Sequence, residues 1–73
     1  MLQVGTLFHQ AKSGRLILRL SREVRPGAVL LDEGGKRLGR VVELIGPVRA
    51  PYASVAPIGG RPAKKGEPAF LEK

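Results

Sequence analysis

The sequence predicts an all-β fold, a small six-stranded antiparallel barrel formed as one domain by residues 1–73, and three observations lead there. No stretch sustains apolar residues at i, i+3, i+4 and i+7 over three turns, so no helix is expected. Short apolar runs recur between turn residues, with ten glycines and six prolines spread along the chain rather than gathered in one low-complexity segment. Finally, 73 residues suffice for one small domain. A chain of that size buries only about 60% of its unfolded surface. Short strands around so modest a core protect their edges best by closing on one another.

Residues 2–11 read as the first strand, with Val4, Leu7 and Phe8 as its buried candidates, and Lys12-Ser13-Gly14 as a turn with glycine where a left-handed residue is needed. Residues 15–20 give the cleanest strand: a period of two puts Leu16, Leu18 and Leu20 on one face and Arg15, Ile17 and Arg19 on the other. A loop follows from Ser21, ending in the turn Arg25-Pro26-Gly27, and residues 28–32 form a short apolar strand closed by Glu33-Gly34-Gly35-Lys36. Residues 37–45 are the fourth strand, with its facing left open. Leu38, Val42 and Leu44 share one parity with Arg40, Val41 and Ile45 share the other with Glu43, and a bulge at Gly39 is a natural place to switch. Residues 52–57 make a fifth strand stopped by Pro57, and residues 68–72 a sixth after a Gly-, Pro- and Lys-rich loop.

Chemistry-bearing residues are few. There is no cysteine, and His9 is the single histidine, so neither a disulfide nor a metal site of ordinary ligand count is expected. A lone histidine beside Gln10 and Lys12 suits a strand rim better than catalysis. Ser13, Ser21 and Ser54 show no base or orienting acid at a recognisable spacing. Asp32 and Glu33 fall at a hairpin end, and a barrel filled by its own side chains offers them no cleft in which to work as an acid–base pair. Gly34-Gly35-Lys36 lacks both the earlier glycine and the following helix of a phosphate loop. The expectation is therefore a protein that is not an enzyme and has no cofactor, metal or small-molecule substrate. No apolar run approaches the roughly 20 residues of a membrane helix, and Met1-Leu2-Gln3-Val4 does not open like a signal peptide. A cytoplasmic location (nucleolar in a eukaryote) and no membrane partner are expected.

The net charge of +7 points to an anionic setting, most often nucleic acid or a nucleoprotein, with plain solubility as the simpler account. Arg15 and Arg19 on one strand, Lys36 and Arg37 after a hairpin, and Arg61, Lys64 and Lys65 in the late loop are the candidate RNA or anion contacts. Single-strand readers of this size stack bases on surface aromatics. With Phe8 and Phe70 assigned to the core, the charge implies backbone tracking or long-range attraction instead.

The least ordinary stretch is Leu44-Ile45-Gly46-Pro47-Val48-Arg49-Ala50-Pro51-Tyr52. Gly46 and Ala50 precede prolines, which drives them towards extended backbone, and neither Pro47 nor Pro51 has an N–H to give a sheet. A stiff apolar bend between two strands is unusual, because connections are normally polar and mobile. Such a bend loses little entropy on docking, and tyrosine beside an apolar patch is a frequent binding hot spot.

Residues 39–55, with Gly-Pro-Val-x-x-Pro-Tyr at 46–52, resemble the Gar-type core subunit of box H/ACA ribonucleoproteins. Gly5-Thr6-Leu7 to Lys12-Ser13-Gly14 and Asp32-Glu33-Gly34-Gly35-Lys36 are similar to that family's opening and middle hairpins, so the likeness runs over roughly residues 4–72. The resemblance implies a barrel of the translation-factor and reductase type. It also implies a non-catalytic accessory role in RNA-guided rRNA pseudouridylation, in which the chain binds the catalytic domain of the pseudouridine synthase and assists substrate RNA loading and release. Guide and substrate RNA would be met through that complex. Gly46, Pro47, Val48, Pro51 and Tyr52 would then lie at the synthase interface. The sequence lacks Gly/Arg-rich tails, which resembles the compact archaeal-type form. A different reading of the same charge is a small basic RNA-binding barrel involved in ribosome biogenesis.

Overall fold

The computed structural model describes residues 2–47, 51–59 and 64–72. All its regular structure is strand: β1 (Leu2–Gln10), β2 (Leu16–Leu20), β3 (Val29–Leu31), β4 (Arg37–Ile45), β5 (Tyr52–Pro57) and β6 (Pro68–Leu71). They close into an antiparallel barrel in the order β1-β2-β5-β4-β3-β6. Among the described residues no helix is long and apolar enough to cross a membrane.

The interior is packed by Val4, Leu7, Leu16, Leu18, Leu20, Leu30, Leu38, Val41 and Val55, with the small Ala53 and Ala69 where strands crowd. Burial of each leucine stabilises the fold by roughly 1.5–3 kcal/mol. The alternation expected for β2 holds: Leu16, Leu18 and Leu20 face inward and Arg19 is exposed. Gly14, with φ +94°, supplies the left-handed residue of the β1–β2 turn, its N–H donating to the Ala11 carbonyl at 2.9 Å.

Four one-residue register shifts interrupt the described strand pairs, and the one at Phe8 and the two flanking Gly39 correct the sequence reading. In β1, Leu7 pairs with Leu18 and His9 with Ile17, so Phe8 is the extra residue of a bulge and lies outside, 45% exposed. Phe70 is likewise no core residue. Ala69 takes the inward position, and Phe70 is half-buried on the outer side opposite Leu31. In β4 the bulges fall beside Gly39 rather than on it. Leu30 pairs with Gly39 and Leu31 with Arg37, leaving Leu38 extra, while Val41 pairs with Val55 and Glu43 with Ser54, leaving Val42 extra. These shifts bring Leu38 and Val41 inside together and turn Val42 out. Gly39 answers a different need, since a Cβ there would sit 2.6 Å from the Ala56 carbonyl oxygen.

Because every strand pair is antiparallel, connections alternate between the two ends of the barrel. The β1–β2, β3–β4 and β5–β6 connections share one end. The β2–β3 and β4–β5 connections share the other, the end that carries the Gly46–Pro51 segment.

Candidate functional site

At the β4–β5 end the strands leave the core but the apolar sequence continues. Leu44 pairs with Ala53, so its side chain follows the inward-facing row. Ala53 is fully buried, yet Leu44 stands above the packed interior and remains 41% exposed. It lines a groove of about 550 Å³ together with Leu20, Val24, Gly46, Pro47 and Pro51. The Pro51 carbonyl accepts a 3.0 Å hydrogen bond from the Leu20 N–H, which ties the far arm of the bend to β2. Gly46 has φ +92°, on the positive side that glycine enters freely, not the extended region expected of a residue before proline. The pre-proline clash acts partly through Cβ, which glycine lacks.

Ile45, the next residue, pairs with Tyr52 and turns to the outside of the barrel, where it is 44% exposed. Tyr52 meets Phe8 edge to face, with ring centroids 5.5 Å apart. Apolar surface therefore runs from the groove over the lip to an aromatic pair on the outer wall. Of the four exposed large hydrophobic residues among the described ones, Val42, Leu44 and Ile45 belong to the last four positions of β4, and the fourth is Phe8. An exposed apolar cluster of this kind on a small protein is a candidate docking surface.

Of the interface residues expected from sequence, Gly46, Pro47 and Pro51 come together in the groove, and Tyr52 lies around the lip from them. Val48 lies outside the described residues, as does Arg61 among the cations. The other cations do not form one patch. Arg15 is half-buried and donates to the Ser54 hydroxyl at 3.4 Å, and Arg19 is exposed on β2 as the register partner of Tyr52. Lys36 and Arg37 stand at the opposite end of the barrel, on the β3–β4 hairpin. Lys64 and Lys65 help line a shallow recess there of about 450 Å³, in which they alternate with Asp32, Glu33 and Glu67. Lys65 also reaches back to place its Nζ 5.9 Å from the centre of the Phe8 ring.

Sequence reasoning missed Phe8 and Val24, and it included Leu44 and Ile45 in the unusual stretch without assigning them to the interface. Val24 was legible as a single apolar residue between Glu23 and Arg25, and it is almost fully buried at the mouth of the groove. Phe8 had no such mark, since only the bulge turns it outward.

The carboxylate of Asp32 has a structural task. It is buried, and its Oδ1 accepts from the N–H groups of Gly34 and Lys36, each at 2.9 Å. Among the described residues no group of three or more His, Cys, Asp or Glu side chains is placed to hold a metal ion.

No family model matches the chain. It is 39% identical over 57 residues to an uncharacterized protein of Methanothermobacter thermautotrophicus, a match covering 78% of this chain and 62% of that protein. It is 38% identical over 52 residues to an uncharacterized protein of Methanocaldococcus jannaschii, covering 71% and 63% respectively. The chain thus spans about three fifths of the length of the curated relatives it matches.

Proposed function

We propose that this barrel is a non-catalytic accessory subunit of an H/ACA RNA-guided pseudouridine synthase, docking on the catalytic subunit through the lip formed by the end of β4, Gly46, Pro47, Pro51 and Tyr52. The observation that carries the docking half of this reading is the run of exposed apolar side chains at Val42, Leu44 and Ile45, beside a groove that Leu20, Val24 and Leu44 line. Side chains of this type are normally buried, and here they stand beside a bend whose two prolines have fixed φ before any partner arrives. The choice of partner is supported by the Gly-Pro-Val-x-x-Pro-Tyr spacing of the H/ACA subunit family at this same lip.

Calorimetric titration against the catalytic subunit of an archaeal H/ACA synthase is the test. The expected result is one-to-one binding that Ile45→Glu weakens by about 30-fold, the size of a hot-spot loss, while the melting temperature holds. Absence of binding, or an affinity indifferent to Ile45→Glu, overturns the reading.

A further inference from the structure

Phe8 stands at the outer edge of the apolar surface, and the proposed docking lip does not use it. It is a large aromatic side chain held on the outer wall by a bulge, 45% exposed, with polar and aromatic surface neighbours. Those neighbours have a consistent chemistry. Tyr52 packs edge to face on it at 5.5 Å, and the His9 ring is tilted beside it at 5.3 Å. The ammonium of Lys65 hovers 5.9 Å from its centre, and Arg19 lies exposed on β2 as the partner of Tyr52. Aromatic faces interleaved with flexible cations on the outside of a β-barrel are what single-stranded nucleic acid needs, a platform for a base and a positive charge for the adjoining phosphate.

We infer that the outer wall of β1, β2 and β5 binds single-stranded RNA, with Phe8 stacking on a base and Lys65 and Arg19 pairing with the backbone. The choice of RNA over DNA rests on the function proposed above; the stacking does not. An alternative occupant would be a further protein surface, but the cations argue against it. An apolar protein contact at Phe8 would have to strip water from Lys65, whereas a polynucleotide supplies a phosphate for it. Lys65 now covers the ring by a cation–π contact, and it can swing from ring to phosphate as a base moves onto the ring. The net charge of +7 supplies the long-range attraction that brings such a ligand in.

The experiment is fluorescence anisotropy of the full chain with a labelled single-stranded oligouridylate, the matching oligodeoxynucleotide and an RNA duplex, across a salt series. Binding of the single-stranded RNA is expected, with Phe8→Leu weakening it about tenfold and Phe8→Tyr restoring it, because leucine keeps the apolar volume and lacks the π face. Lys65→Gln should lower the slope of log affinity against log salt by about 0.7. The inference is overturned if Phe8→Leu binds like the wild type, or if the duplex binds as well as the single strand. Equal affinity for the oligodeoxynucleotide overturns the assignment to RNA. If Phe8→Leu instead weakens synthase docking and leaves the oligouridylate unaffected, the wall is a protein surface and the inference falls. Oligouridylate binding that survives when the synthase fails to bind would leave this inference standing and remove the function proposed above.

Discussion

The two ends of the barrel close their connections by opposite means. At the β3–β4 end the hairpin is held by its own polar groups: Asp32 accepts two backbone N–H bonds through its side chain, its N–H donates to the Lys36 carbonyl at 2.7 Å, and its carbonyl accepts from Gly35 at 2.9 Å. At the β4–β5 end two prolines shape the bend through fixed backbone angles, and the side chains beside it are apolar and exposed. The first end is complete in itself, and the charged residues around it face water. The second end leaves apolar side chains uncovered at Val42, Leu44 and Ile45, as the docking proposed above requires. Stability and binding should therefore separate cleanly between the ends.

The largest effect should come from Leu44→Glu, which places a charge in the groove. Its affinity for the synthase catalytic subunit should fall by about 150-fold, equivalent to about 3 kcal/mol, in calorimetric titration. Folding should change by no more than about 0.5 kcal/mol, because Leu44 is already 41% exposed. A large drop in melting temperature would show that the lip is part of the core and break the contrast.

Asp32→Ala is the mirror experiment. It leaves the Gly34 and Lys36 N–H groups without their acceptor in a part-buried hairpin, a loss of about 2 kcal/mol. For a chain of this size that lowers the melting temperature by about 8–16 °C. Partner affinity, measured well below the transition, should stay at the wild-type value. A change in affinity would mean that the hairpin end reaches the interface after all.

Much of this architecture was legible before any coordinates, and the reason lies in particular residues. Leu16, Leu18 and Leu20 alternate without interruption, Gly14 and Gly35 occupy positive-φ positions at the turns, and Pro57 and Pro68 sit at strand ends where a missing N–H does no harm. The facing of β1 and β4 was not legible. A single extra residue at Phe8, Leu38 or Val42 reverses everything beyond it, and no local propensity marks which residue a bulge will take. The same cause hid the candidate site. The bend was visible as Gly46, Pro47 and Pro51, but its apolar flank at Leu44 and Ile45 depended on the register of β4, and its aromatic neighbour Phe8 on the register of β1. Gly39 shows the limit from the other side: its glycine marked a crowded place, and the crowding comes from Val55 and Ala56 on a strand that sequence alone could not set beside it.

The smallest effects sharpen the comparison most, because they act largely on preorganisation. Pro51→Ala keeps the backbone carbonyl that receives the Leu20 N–H and removes the ring, with its constraint on φ and its small share of the groove lining. The free chain then gains conformations that docking must remove, so affinity for the synthase should fall by about twofold to fivefold, or about 0.4–1 kcal/mol. The counterpart at the other end is Gly35→Ala, where open space surrounds the new methyl group but φ is +85°. That left-handed position should lower folding stability by about 1–2 kcal/mol in urea unfolding and leave partner affinity alone. If Pro51→Ala binds as tightly as the wild type, the bend owes nothing to its prolines, and its apolar side chains alone make the docking surface.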